Sequence, residues 1–201
     1  MATLARLHEA QGEPVWEMAH LFPAQGEWTV EDYLTLDTNH LIEYANGYVE
    51  VLPIPSLWHQ ELVFLLQRVL WEFVTERGLG KVWAAPLPVQ LWPKKFREPD
   101  IIFIAAAKVP HLTATYLRNV DLVMEVVSPD DPDRDYKKKH KEYAQAGIPE
   151  YWIVDALKNL VTVLVLQDGH YQTHGEFNPG EIASSVHLAG FTVPVATLFP
   201  A

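Results

Sequence analysis

The chain has no cysteine in 201 residues, which excludes disulfides, thiol catalysis and thiolate metal sites and agrees with a reducing compartment. It also lacks any apolar run near the ~20 residues of a membrane-spanning helix, and no charged-then-apolar leader opens it. The expectation is therefore a cytoplasmic protein with no membrane partner. Basic residues are scarce: 15 Lys and Arg stand against 26 Asp and Glu, for a formal net charge of -11. Non-specific nucleic-acid affinity comes mainly from lysine and arginine at phosphates, so this balance argues against a protein that coats nucleic acid. No helix-turn-helix, zinc finger or other separate reader of DNA is visible.

What the sequence does contain is two short apolar segments that each carry acidic residues. The first runs Glu98-Pro99-Asp100-Ile101-Ile102-Phe103-Ile104, the second Asp121-Leu122-Val123-Met124-Glu125-Val126-Val127-Ser128-Pro129. Both are apolar at odd and even positions, as in strands covered on both faces. Glu125 then sits where water is scarce, and a carboxylate there costs several kcal/mol unless a cation or hydrogen-bond donors compensate it.

The cation is expected from the next segment, 130–147, which reads as a helix with an Asp cap, an early proline, a basic body and a stop at Gly147 and Pro149. At about 100° per residue Tyr136 and Tyr143 share one face, flanked by Lys139 and His140. Lys137, Lys138 and Lys141 point away from it, as a solvated face. If the two strands are antiparallel neighbours, Asp100 and Glu125 meet at one sheet edge, with Lys139 on the helix that leaves it. Two carboxylates and a lysine there suit a hard divalent cation bound through oxygen ligands with several waters retained. Such an ion supports phosphodiester hydrolysis, and lysine can orient the attacking water. Lys94, Lys95 and Arg97, with the lysines after Glu125, would form a local positive funnel on an acidic body.

These residues resemble the bacterial Uma-two family, placed in the restriction-endonuclease-like PD-(D/E)XK superfamily. The resemblance rests on Pro99-Asp100, on Glu125-Val126-Val127-Ser128-Pro129, on Asp135, Lys139 and Tyr143 at four-residue spacing, and on Gly147-Ile148-Pro149-Glu150-Tyr151-Trp152-Ile153-Val154-Asp155. It reaches back to Trp28 and forward close to the end. It implies a divalent-metal-dependent endonuclease acting on DNA, with magnesium or manganese held by Asp100, Glu125 and the carbonyl of Val126, and an α/β fold with a restriction-endonuclease-like core. That core is a mixed central sheet flanked by helices, in the order helix, three strands, helix, strand, to which an N-terminal hairpin and C-terminal strands are added here. The superfamily pattern puts a lysine two residues after the glutamate; here that position is Val127, and Lys139 would fill the role. The alternative is an inactive module for binding or assembly that keeps the fold, with Lys139 merely neutralising Glu125. A nuclease of one small domain would need two copies to cut both strands of a duplex, so a homodimer is expected.

The rest of the chain fills in around this core. Residues 1–27 read as an extension and 28–201 as a single domain. Thr29 with Asp32 looks like a capping box opening a short helix. Asn46-Gly47 marks a hairpin that pairs Glu43 with Glu50, either a solvent-facing pair tolerated at slight cost or a carboxylate near the metal. On the helix from Trp58 to Arg77, Leu62, Val63, Leu66, Leu70 and Phe73 share a face, with His59 at its start and Glu61 pointing away. His59, rather than Glu61, is thus the candidate for the site, against the alternative of a packed or capping histidine. Lys81 to Leu91 reads as one strand interrupted by Pro86 and Pro88, hence at an edge or bulged. Residues 160–166 and 169–173 form a hairpin turning at Asp168-Gly169, with further strands near Ile182 and 191–195. Trp71, Trp83, Trp92 and Trp152 are expected in the core.

Overall fold

Local signals in the sequence become elements at nearly every expected place in the computed structural model, which describes residues 22–37, 40–112 and 115–199. Helix α1 (Val30–Leu34) opens with the capping box: Asp32 N–H donates to Thr29 Oγ1 at 3.1 Å, and Thr29 N–H donates to Asp32 Oδ2 at 2.9 Å. Strands β1 (Ile42–Ala45) and β2 (Tyr48–Val51) form the hairpin at Asn46-Gly47, with Glu43 opposite Glu50. Helix α2 (Leu57–Glu76) is capped by Ser56 and buries Leu62, Val63, Leu66, Leu70 and Val74 along one face. Strands β3 (Gly80–Ala84), β4 (Val89–Trp92), β5 (Lys95–Arg97) and β6 (Ile101–Ala105) follow. After a 3-10 turn (Ala106–His111) come β7 (Leu122–Val126), the helical segment 132–145, β8 (Glu150–Asp155), the hairpin β9 (Leu160–Gln167) and β10 (His170–Phe177), and the short pair β11 (Ile182–Ser184) and β12 (Thr192–Pro194).

These strands make a six-stranded mixed sheet ordered β10-β9-β8-β7-β6-β3, a four-stranded sheet ordered β2-β1-β5-β4, and the separate pair β11-β12. The order α2, then β3, β6 and β7, then a helix, then β8 is the expected core. Within the sheets one element differs from expectation. Residues 81–91 are not a single strand, because the prolines divide them: β3 is the edge of the larger sheet and β4 an edge of the smaller one. A proline has no N–H to give a ladder, so a chain carrying two within three residues leaves one sheet before it can join another.

The larger sheet is covered on both faces, as the unbroken apolar runs require. Period two along β7 sends Leu122, Met124 and Val126 to the side packed by α2, Trp152 and Phe191, and sends Val123 to the side packed by Tyr143, Tyr151 and Ile153. Glu125 falls on that second side, beneath the helical segment 132–145. Trp152 is fully buried, but Trp71 is 52% exposed, so the expectation that all four tryptophans are core fails at that residue. Of residues 1–27, those before Phe22 lie outside the described residues; Gly26 N–H donates to Gly47 carbonyl at 2.8 Å and Phe22 stacks on Trp28.

At the far end of β7 from Glu125, Asp121 ties the strand to its neighbour. Its Oδ2 accepts Ala105 N–H at 2.8 Å and its Oδ1 meets Lys108 Nζ at 2.7 Å. Burial alone would raise this carboxyl, but His187, the Ala105 N–H and Lys108 outweigh it and hold the group down at about 2, against an ordinary 3.8. A depressed folded-state value means stability present at neutral pH and lost as pH falls from about 4 to about 2. Asp121→Asn is expected to cost on the order of 2 kcal/mol in urea unfolding at pH 7 and to approach wild type in acid. Equal stability at pH 7 would deny the carboxylate this role.

Candidate active site

The register of β6 against β7, with Ile101 opposite Met124 and Ile102 opposite Val123, brings Asp100 beside Glu125 where the strand pair ends. Asp100 Oδ2 accepts the N–H of Val126 at 2.8 Å, and His59 Nε2 lies 3.3 Å from the same oxygen. Burial pulls the imidazole's pKa down, but Asp100 and the neighbouring Val126 backbone carry it above the ordinary histidine value. His59 thus reaches the site from the first turn of α2, whereas Glu61 is exposed on the opposite face.

Lys139 turns inward, as its place in the sequence predicts. Its Nζ lies 2.8 Å from Glu125 Oε2 and 3.0 Å from Asp135 Oδ1, and all three residues are at most 5% exposed. Tyr143 donates its hydroxyl to Glu125 Oε1. Burial drives the Glu125 carboxyl upward, with Asp100 and Asp135 adding to the rise and Lys139 opposing it. Burial works against the Lys139 ammonium, yet Glu125 and Asp135 raise its pKa above the ordinary value and keep it charged. Lys137, Lys138 and Lys141 are exposed, as expected.

The backbone that carries Lys139 differs from the expected α-helix. Residues Arg134–Lys139 form a π turn that passes into helix α3 (His140–Gln145), and Asp133 makes no side-chain cap bond. A π turn closes at the fifth residue, and such turns concentrate at functional sites. The helix ends as predicted at Gly147, at φ 76°, with Ile148 N–H on Tyr143 carbonyl at 3.1 Å.

Two readings of charge are overturned. The expected positive funnel does not form, because Lys95 and Arg97 are buried and committed. Arg97 Nε donates to Glu142 Oε2 at 2.6 Å and its Nη2 to Glu142 Oε1 at 2.9 Å, while Lys95 Nζ meets Glu142 Oε1 at 2.8 Å. Nor are Glu43 and Glu50 a solvent-facing pair. Glu43 is 2% exposed and held by both Arg97 and Arg134; Glu50, half exposed, accepts from Arg134 Nη1 at 2.6 Å. The one signal for this network in the sequence is the like-charge pair itself, which is stable only beside a cation. The Tyr143 hydroxyl and the Asp135 carboxylate join the Glu125 cluster without having been expected among the site residues, and their four-residue spacing from Lys139 is the sequence signal for it.

Asp100, Glu125, His59, Val126 and Lys139 line a cavity of about 390 Å³. Seven carboxyl groups face it, those of Glu50, Glu98, Asp100, Glu125, Asp130, Asp131 and Asp135, against Arg134, Lys139 and His59. Burial raises the Glu98 carboxyl to about 7, but the other acids leave the cavity with an excess of negative charge. That donor set suits a hard cation with oxygen ligands. Among the described residues no three His, Asp or Glu side chains converge into a ready-made cage, so the ion that fits is one that keeps waters and takes one or two carboxylates. Both bonds found for Asp100 fall on Oδ2, and each Glu125 oxygen has lone pairs beyond the one that Tyr143 or Lys139 occupies.

Comparisons with known proteins agree with the fold. The structure is similar to the crystal structure of a "putative nuclease belonging to DUF820" from Anabaena variabilis, at 20% sequence identity and a TM-score of 0.72, covering 86% of this chain and 97% of that one. Among curated proteins none matches the chain. Among the described residues no helix is long and apolar enough to cross a membrane. Residues 30–196 match the profile of the Uma2 family, described as "Putative restriction endonuclease", and the chain belongs to that family.

Proposed function

We propose that the protein is an endonuclease that hydrolyses phosphodiester bonds of DNA with a divalent cation, magnesium or manganese, held by Asp100, Glu125 and the carbonyl of Val126. The single observation that carries this reading is the side-by-side placement of Asp100 and Glu125 at the end of a strand pair, with Lys139 2.8 Å from the glutamate, in an acidic cavity. A bound divalent cation supplies Lewis-acid activation of water and neutralises charge on the phosphate oxygens. Lys139, fixed between Glu125 and Asp135, is the group that orients the attacking water or stabilises charge on the phosphate. His59, whose Nε2 lies 3.3 Å from Asp100 Oδ2, would hold that carboxylate and pass a proton at Nε2. Tyr143 fixes the rotamer of Glu125 by donating to Oε1.

The second reading, a nuclease fold retained for binding or assembly, is favoured by one observation: Lys139, 2.8 Å from Glu125, already supplies a cation for this buried carboxylate. Incubation of DNA substrates (plasmid, linear duplex, branched and single-stranded) with magnesium, manganese or calcium separates the two. The nuclease reading predicts cleavage of at least one substrate with magnesium or manganese. No cutting of any of them, together with a melting temperature indifferent to all three ions, would leave the binding module. A homodimer goes with the nuclease reading, since two active sites are needed to cut both strands.

A further inference from the structure

Three cations surround the carboxylate of Glu50. Arg134 Nη1 lies 2.6 Å from Oε1, while Lys138 Nζ at 3.6 Å and Arg97 Nη1 at 3.9 Å approach Oε2. The group they enclose is no core residue, since its side chain is 49% exposed, and it belongs to the lining of the cavity that holds Asp100, Glu125 and Lys139. Each of the other two carboxylates in the network is fixed more deeply: Glu43 is buried between Arg97 and Arg134, and Glu142 is clamped by Arg97 and Lys95. Four cations, Lys95, Arg97, Arg134 and Lys138, therefore meet three carboxylates, of which only Glu50 can swing into solvent without stranding a buried charge. Taking Glu50 away leaves four cations against two anions, with Arg134 on the lining of the proposed catalytic cavity and Lys138 beside it on the adjoining surface.

An arginine that presents a fork of donors, with a lysine beside it, is the donor set that recognises a phosphate. We propose that Arg134 and Lys138 form a binding subsite for a backbone phosphate of DNA, and that Glu50 occupies this subsite as an anionic stand-in which the substrate displaces. The ligand class rests on the nuclease reading above; the cation cluster does not. The arrangement explains why the β1–β2 hairpin keeps two like charges face to face: Glu43 anchors the two arginines from beneath, and Glu50 covers them from the side of the solvent. It also gives an acidic protein a means of admitting a polyanion only where a carboxylate can step aside.

The test is duplex DNA binding, followed by fluorescence anisotropy in calcium, for wild type, Glu50→Gln, Glu50→Ala and Glu50→Gln with Lys138→Gln. Glu50 and Lys138 are both about half exposed, so these forms are expected to fold, and a thermal melt confirms it. Glu50→Gln and Glu50→Ala are each expected to bind DNA about five- to tenfold more tightly, with a log-affinity against log-salt slope steeper by about one. Adding Lys138→Gln is expected to remove most of the gain. Unchanged or weaker DNA binding by both Glu50 variants would overturn the subsite, as would a gain confined to inorganic phosphate. Cleavage by wild type without tighter binding in the variants sinks the subsite and leaves the nuclease; tighter binding with no cleavage by any form sinks the nuclease and leaves the subsite.

Discussion

Lys139→Ala is expected to destabilise the fold by about 3–5 kcal/mol, because it strips the cation from two buried carboxylates at once. Glu125 and Asp135 are 1% and 3% exposed, and Lys139 touches both. Each of these acids already has its pKa pushed upward by burial, and the ammonium is the main force opposing that rise. Without it the protein must either bind protons there or leave charge in an apolar layer between β7, β8 and the helix. Urea unfolding at neutral pH reads the loss. The cause is identified by a second variant: Glu125→Gln in the Lys139→Ala background should restore part of the stability, so that the two changes together cost less than their sum. A loss below about 1 kcal/mol would place Lys139 among ordinary surface lysines.

The second large effect is on turnover. Asp100→Asn keeps the shape of the side chain, and its amide oxygen can still accept the Val126 N–H that Asp100 Oδ2 accepts at 2.8 Å. It removes one of the two negative charges that the proposed ion would sit between. Folding is expected to change little, whereas DNA cleavage with magnesium should fall on the order of 10³-fold, the scale of removing one electrostatic stabiliser from a transition state. Alanine is the poorer probe, since it leaves that N–H without a partner near a buried strand end. Cleavage at the wild-type rate by Asp100→Asn would remove this residue from the chemistry.

Much of this arrangement is legible in the sequence because it follows from local period. Alternation along β7 puts Glu125 on the helix-facing side, and the spacing of Tyr143 and Lys139 puts the ammonium over it. The hairpin at Asn46-Gly47, the capping box at Thr29 and the stop at Gly147 each follow from the conformational demands of two or three residues. What escaped is what depends on partners distant along the chain. Lys95 and Arg97 look like surface charges until Glu142 and Glu43 are brought to them from 45 and 54 residues away. Glu43 meets Arg134 across 91 residues, which no period encodes. The division of residues 81–91 between two sheets, by contrast, follows from Pro86 and Pro88 themselves, which have no N–H to give a ladder. The π turn at Arg134–Lys139 has no comparable local signature, because a widened turn is set by what the helix packs on.

Calorimetric titration of manganese into the metal-free protein asks whether Asp100 and Glu125 together hold the proposed divalent cation. One ion per chain is expected to bind wild type, with affinity weakened at least about tenfold in either Asp100→Asn or Glu125→Gln. Manganese that does not bind wild type, or that binds all three proteins alike, would contradict the proposal.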